Sequence, residues 1–195
     1  MKALALDQPL AQALARNVHD TVVRGRPPRG SRCPPGVASI PGVPLEPGER
    51  VALVAKQRWA PGWLRWRQVD SAWGGVLAAL GIDARRHGSD DTLLRTSFDD
   101  LPTGMVVGIA TFTGAIPIVP PGGYASTFYE AVADPATADR LTAILQPGAW
   151  VEGAWVWSFT DGELISPVYV RLDNHLADLP PDADEAVTTQ LKEHP

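Results

Sequence analysis

A five-residue apolar run, Val51 to Ala55, predicts a buried β-strand. It ends at Lys56 and leads into a segment where cationic and indole side chains are interleaved: Arg58, Trp59, Trp63, Arg65, Trp66 and Arg67. Trp is costly to expose, and Arg stacks on aromatic faces. Such a cluster at a strand end suits a flat, anionic ligand such as a nucleotide or a single strand. The alternative is that the tryptophans close the end of a barrel and the arginines only cover them.

Further short strands are predicted along the chain, near 2–6, 105–113, 153–159 and 163–172. The last two are joined by Thr160-Asp161-Gly162, a sequence typical of a hairpin turn. Gly108 predicts a bend within the strand 105–113, as barrel strands need. The strands outnumber the strong helices, which favours the α+β class: a small, mixed, strongly bent β-barrel with helices at its ends.

The helices and loops are less regular. Asp7 is expected to cap a first helix, and helical spacing continues from Val69 to Leu80 and across 128–145. The segment Arg24–Gly48 is rich in Pro and Gly, so we expect an irregular loop that does not cross the core. Its arginines suit nucleic acid, and a solvated loop without a partner is the alternative. The acidic tail from Leu179 is expected to fray, apart from a short final helix.

Length and composition indicate one globular domain, because the chain has 195 residues, 45% hydrophobic and 20% charged. We divide it into a domain 1–172, with insertions at 25–50 and 57–100, and an acidic tail 173–195. No run of 18 apolar residues is present, so no membrane partner is expected. The single cysteine, Cys33, excludes an internal disulfide and favours a reduced, cytoplasmic protein. A monomer is expected.

Charge is distributed unevenly along the chain. Residues 1–95 hold 14 Lys and Arg against 8 Asp and Glu, a net of +6. Residues 96–195 hold 3 against 14, a net of −11, which makes the −5 of the whole chain. A partner that carries phosphate would therefore be steered to the first half.

Several segments, taken in order, resemble ASCH domains, a family of the PUA-like superfamily. The chain opens with Met1-Lys-Ala-Leu-Ala-Leu-Asp-Gln-Pro-Leu-Ala, like the family's first strand and the Gln-Pro pair that opens its first helix. The segments 51–56 and 108–114 resemble its second and its glycine-containing central strands. Trp155-Val-Trp157, Asp161 and Pro167-Val168 resemble its closing hairpin. The resemblance implies a PUA-like barrel that recognises RNA or a nucleoside base.

The family signature Gly-x-Lys-x-x-Glu-x-Arg falls on Asn17-Val-His19-Asp-Thr-Val22-Val-Arg24. Arg24 matches, whereas His19 and Val22 replace the lysine and the glutamate. Some family members use that lysine with a carboxylate to hydrolyse acylated nucleosides, and others are described as ribonucleases. The replacements imply little or no acyl-nucleoside hydrolysis, although His19 is a candidate general base.

The candidate ligand-binding residues are cationic, aromatic or hydroxyl-bearing: His19, Arg24, Arg26, Lys56, Arg58, Trp59, Trp63, Thr111 and Thr113. Thr111 and Thr113 share one strand face by the period of two, opposite Ala110 and Phe112. In a PUA-like barrel we expect His19 and Arg24 near Lys56, with a threonine across the opening.

The predicted function is a binding module for RNA or for a nucleoside or nucleotide. A hydrolase of the same fold, an amidohydrolase or ribonuclease with an altered site, is an alternative, and a protein-interaction domain is another. No cofactor is expected. No zinc-ligand spacing appears, and Gly122-Gly123 lacks the lysine of a phosphate-binding loop.

Overall fold

The computed structural model describes residues 1–24, 45–59, 80, 101–117, 155–172 and 175–193. The described elements are, in chain order, β1 (Lys2–Gln8), α1 (Leu10–Ala15), β2 (Thr21–Arg24), β3 (Arg50–Trp59), β4 (Met105–Pro117), β5 (Trp155–Tyr169), β6 (Leu176–Asp178) and α2 (Pro181–Glu193). None of the helices in these ranges is long and apolar enough to cross a membrane.

The strands form one six-stranded sheet in the order β2-β5-β4-β3-β1-β6, curled into a half-barrel. β1 and β3 pair in parallel, and each of the other neighbouring pairs is antiparallel. The predicted α+β class and the single curved, mixed sheet are confirmed. β3 lies at the centre of the sheet, which explains why its apolar run is continuous: a central strand is covered on both faces.

Each face of the sheet carries its own core. Along β3, Val51, Leu53 and Ala55 face one side, and Ala52 and Val54 face the other. The first side packs against α1 and contains the aromatic residues Phe112, Trp157 and Phe159. The second packs against α2 through Ala183 and Val187. Ala110 and Phe112 share the α1 side, as the alternation of β4 predicted.

Gly108 allows α1 to lie directly against β4. A Cβ at this position would stand 2.5 Å from the Cβ of Ala15 and 2.5 Å from the backbone oxygen of Glu163. The β4–β5 register also shifts between Val106 and Gly108. The irregularity that the sequence indicates at Gly108 is therefore present, and its physical reason is the close approach of helix and strand.

The predicted hairpin at Thr160-Asp161-Gly162 is wrong, because β5 continues through it as one strand. Thr160 pairs with Thr111 and Glu163 with Ile109, so two residues of β5 stand opposite one of β4. This is a β-bulge, with Asp161 at φ 51°. Bulges and tight turns both use Asp and Gly at positive φ, so the local sequence does not distinguish them.

Two predicted helix details are also wrong. β1 runs through Gln8, so Asp7 lies in a strand, and Pro9 occupies the N-cap of α1 without a side-chain hydrogen bond. The tail does not fray: α2 spans 13 residues, and the side-chain amide of Gln190 exchanges two hydrogen bonds with the backbone of Ser166. Its apolar residues recur at helical spacing and cover the sheet, which stabilises an otherwise polar helix.

Several predictions lie outside the described residues: most of the Pro-rich loop (25–44), the helix near 69–80 except Leu80, and the helix near 128–145. Leu45, near the end of that loop, is fully buried in the α1-side core. That the segment does not cross the core stays a prediction, because 25–44 lie outside the described residues. Leu80 is buried as well.

Candidate functional site

A cleft forms where β4 begins, between β3 and the residues that follow the end of β5. Ala55, Met105 and Tyr169 pair across β3, β4 and β5. Next to this row of paired residues, Gly104 N–H donates to the Ala55 carbonyl at 2.7 Å, and Val170 N–H donates to the Gly104 carbonyl at 3.1 Å. The backbone of Gly104 therefore joins both walls and closes the inner end of the gap between them.

The cleft has a volume of about 500 Å³. Its floor is apolar and includes Ala5 and Val54, which belong to the α2-side core. Its lining also includes Lys56 of β3, Tyr169 at the end of β5 and Arg171 just beyond it. Two cations and an aromatic ring over an apolar floor are suited to an anionic ligand with a flat, partly apolar part.

Arg171 differs from the cations at the other end of β1 and β3. There, Lys2 Nζ lies 2.6 Å from Glu49 Oε1, and Arg50 lies 2.8 Å from Glu163 Oε2. Hydrogen bonds from Lys2 and from the Glu46 N–H hold the pKa of the Glu49 carboxyl below its ordinary value. Within the described part of the chain, no carboxylate lines the cleft, and no ion pair involves Arg171.

Among the predicted site residues whose side chains the structure describes, Lys56 lines this cleft. Arg58 and Trp59 follow it along β3, which is longer than the predicted strand 51–56, and Trp59 pairs with Gln8 of β1. Arg26 and Trp63 lie outside the described residues. The role of Arg58 and Trp59 in binding stays a prediction.

Thr111 and Thr113 lie toward the opposite end of β4. Thr111 pairs with Arg50, six residues before Lys56, which is about 20 Å at 3.3 Å per residue. The expected arrangement, a threonine across an opening from Lys56, is therefore not present. Thr113 is exposed and Thr111 is half-buried. Their role as ligand contacts stays a prediction without support from this geometry.

The turn between α1 and β2, together with β2, holds the segment compared above with the ASCH signature, and several of its groups serve the fold. Val22 is 3% exposed in the α1-side core, paired with Trp157. Asn17, at the signature's glycine position, has φ 53°, a conformation that Asn tolerates. Its side-chain amide exchanges two hydrogen bonds with the backbone of Gly162, at 2.6 and 2.7 Å.

His19 lies just before β2, and Arg24 is the last residue of β2. His19 is buried, and its backbone N–H donates to the Ala13 carbonyl at 3.3 Å. Arg24 ends β2, where its backbone pairs with Trp155 at the far end of β5 from Tyr169. Strand pairing therefore does not bring Arg24 beside Lys56, and the ligand roles of His19 and Arg24 stay predictions.

Sequence reasoning missed Tyr169 and Arg171. A signal was available, because residues two apart in an extended segment share a face, and here they are an aromatic and a cation. What no local pattern shows is that β4 begins level with Tyr169, which opens the cleft. No group of three or more His, Cys, Asp and Glu that could hold a metal occurs in the ranges given above.

Comparisons with known proteins find similarity among solved structures. No family model matches the chain, and no curated protein matches it. The crystal structure of ASCH from Zymomonas mobilis is 12% identical, with a TM-score of 0.44, over 96% of this chain and 93% of that one. A serine-to-alanine variant of that protein is 12% identical, with a TM-score of 0.45, over 96% and 94%. A tyrosine-to-phenylalanine variant is 11% identical, with a TM-score of 0.43, over 96% of both chains. These matched structures carry the name of the family that the sequence resembles.

Proposed function

We propose that the protein is a binding module for RNA or for a nucleotide, and that the cleft holding Lys56 is its ligand site. The observation that carries the proposal is the joint presence of Lys56, Arg171 and Tyr169 around one cleft. Lysine and arginine are the usual partners of phosphate oxygens, and an aromatic ring offers a stacking surface to any base.

The accessibility of these groups supports the proposal. Tyr169 is 67% exposed, a large apolar surface that folding leaves uncovered. Arg171 is exposed too, and no described acidic side chain neutralises it. Base stacking is worth about 1–3 kcal/mol per base. Two cations and one stacking ring therefore suffice for specific, moderate affinity.

The charge asymmetry of the chain supports one part of this assignment. Lys56 belongs to the half of the sequence with a net of +6, whereas Tyr169 and Arg171 belong to the half with a net of −11. Positive charge in the first half raises the association rate with RNA.

The hydrolase alternative has no comparable support. The family's glutamate position is occupied by Val22, whose buried side chain has no group that can exchange a proton. We therefore expect no turnover of acylated cytidine. A robust turnover that His19→Ala abolishes would contradict this expectation and favour the hydrolase.

The test of the proposed function is RNA binding measured by fluorescence anisotropy over a series of KCl concentrations. We expect Arg171→Ala and Lys56→Ala each to weaken binding and to reduce the salt slope by about 0.7, the value for one phosphate contact on a single strand. Lys192→Ala is the matched control, since it removes one exposed cation of α2 that does not line the cleft. Equal affinities for all four proteins would overturn the site.

A further inference from the structure

We propose that Gln190 of α2 is a positioning residue for the cleft: by holding a second bulge in β5, it keeps Tyr169 and Arg171 exposed. Gln190 is not among the residues that line the cleft. The proposal rests on the proposed function, because the two residues that it positions belong to the cleft lining. Three observations support it: the register of β5, the faces that its residues take and the bonds that Gln190 makes.

The register between β4 and β5 contains a second bulge, larger than the first. Leu164 pairs with Gly108, and Val168 pairs with Val106. Residues 165–167 of β5 therefore stand opposite a single residue of β4. A bulge leaves backbone groups of the longer strand without partners in the ladder, and it re-aims the side chains that follow it.

This second bulge decides which face the end of β5 presents. Ile165, Val168 and Val170 all belong to or pack against the α2-side core. In a regular strand, Ile165 and Val168 would lie on opposite faces, because they are three residues apart and side chains alternate. With the bulge, Val168 and Val170 face inward, and Tyr169 between them is 67% exposed. Arg171 follows the same alternation and is exposed as well. A slip by one residue would turn Tyr169 toward the core.

Gln190 supplies the partners that the ladder lacks at the second bulge. Its Oε1 accepts a hydrogen bond from the Ser166 N–H at 2.8 Å, and its Nε2 donates to the Ser166 carbonyl at 3.1 Å. A side-chain amide thus makes the two-bond exchange that a residue of a neighbouring antiparallel strand would make. Ser166 precedes Tyr169 by three residues, so α2 holds β5 directly before the cleft.

Asn17 makes the same exchange at the first bulge and provides an internal comparison. Its side-chain amide accepts from the Gly162 N–H at 2.6 Å and donates to the Gly162 carbonyl at 2.7 Å. The two bulges of β5 are therefore held by amides of the same chemistry from two different elements, and the bulge held by Gln190 is the one next to the cleft. A variant of Asn17 consequently tests whether an effect is specific to the cleft end of β5.

The first experiment measures amide hydrogen exchange by NMR in the wild type and in Gln190→Met, which keeps the length of the side chain and removes both bonds. The Val170 N–H donates to the Gly104 carbonyl at the inner end of the cleft. We expect it to exchange at least about tenfold faster in the variant, because the end of β5 is no longer held in one register. Amides in the middle of β1 should change less than about twofold, whereas a loss of global stability would accelerate both regions.

The second experiment measures RNA binding by fluorescence anisotropy in the same proteins. Gln190→Met should weaken binding at least about fivefold, because the cleft is less well preorganised. Thr189→Ala, an exposed neighbour on α2, and Asn17→Ala are the controls. Both should keep the wild-type affinity and the slow exchange of the Val170 N–H. If Gln190→Met does not fold, Gln190→Glu replaces it, since its carboxylate accepts from the Ser166 N–H but cannot donate to the carbonyl.

The outcomes separate this proposal from the proposed function. Faster exchange at Val170 and weaker RNA binding in Gln190→Met, with neither change in the controls, support the positioning role. A folded Gln190→Met protein with wild-type exchange at Val170 overturns it and leaves the binding module standing. Faster exchange with unchanged RNA binding overturns the role of Gln190 in the cleft. A wild type that binds no RNA overturns the proposed function and the ligand role of the bulge, whereas the exchange rates still show whether Gln190 holds it.

Discussion

The turn between α1 and β2 and the cleft at the end of β3 use their polar residues differently. In the turn, the side chain of Asn17 is hydrogen-bonded to the backbone of Gly162, and in the adjoining strand β2 the side chain of Val22 fills the core. In the cleft, Arg171 and Tyr169 remain exposed. The turn occupies the position of the family signature, yet its geometry supports the sheet. The comparison teaches that resemblance to a motif and availability for a ligand are separate properties.

The strongest way to break this comparison is to restore the signature's carboxylate with Val22→Glu. We expect a loss of about 4 kcal/mol or more in the free energy of unfolding, because the carboxylate would enter a packed core beside Trp157. Urea unfolding measures this loss. Val22→Ile, which keeps an apolar β-branched side chain, is the control and should cost less than about 1.5 kcal/mol. A stable Val22→Glu protein would show that the turn can still accommodate the signature's chemistry.

A smaller effect is expected from Asn17. Asn17→Ala removes two hydrogen bonds to Gly162 and places a Cβ-bearing residue without a compensating polar group at positive φ. Together these changes should lower the free energy of unfolding by about 2 kcal/mol. Asn17→Gly should lower it less, because glycine adopts positive φ without backbone strain. Urea unfolding at one pH gives both values. RNA binding should be unchanged in both variants, and a loss of binding by the folded proteins would assign the turn to the site after all.

The smallest effect concerns Lys2. This cation has an acidic partner, whereas Arg171 has none among the described residues. The lowered pKa of Glu49 means that its ion pair with Lys2 stabilises the folded protein above the ordinary carboxyl pKa of 4.5. This contribution falls as the pH drops below that value through the lowered pKa, because protonation removes the charge. Both side chains are partly exposed, so we expect less than about 1 kcal/mol.

Chemical unfolding of the wild type and of Lys2→Met at pH 7 and pH 3 measures that contribution. The difference between the two proteins should shrink at pH 3. The affinity for RNA should stay within about twofold of the wild-type value, since Lys2 contacts no part of the cleft. A difference that grows at low pH would contradict the assigned role of Glu49.

Much of the fold could be predicted from local patterns. The run Val51–Ala55 and the alternation at Ala110 and Phe112 each depend on neighbours within one strand, and each is confirmed. Asp161-Gly162 was assigned to a hairpin turn. Residues that accept positive φ occur in bulges as well as in such turns, so the assignment was wrong. The bulge is chosen by a distant contact, since a Cβ on Gly162 would collide with the Leu14 carbonyl of α1.

The candidate site was less predictable, because it also depends on contacts between parts of the chain that are far apart in the sequence. Lys56 was found because it ends a recognisable strand and precedes a cluster of Trp and Arg. Tyr169 and Arg171 are more than a hundred residues away in the sequence, and they join Lys56 only through the relative lengths of three strands. Periodicity predicts which face a residue takes, but it does not predict the register that sets where one strand begins beside another.

The position of β1 has a consequence for synthesis on the ribosome. β1 pairs with β3 on one side and with β6 on the other, and β6 is made about 170 residues later. At about 5–20 residues per second, this edge stays unpaired by β6 for on the order of ten seconds after β1 is made. The middle of β1, Ala3 to Leu6, consists of Ala and Leu, and an apolar unpaired edge favours pairing with other chains. A chaperone that shields β1 would therefore act in the interval before β6 is made.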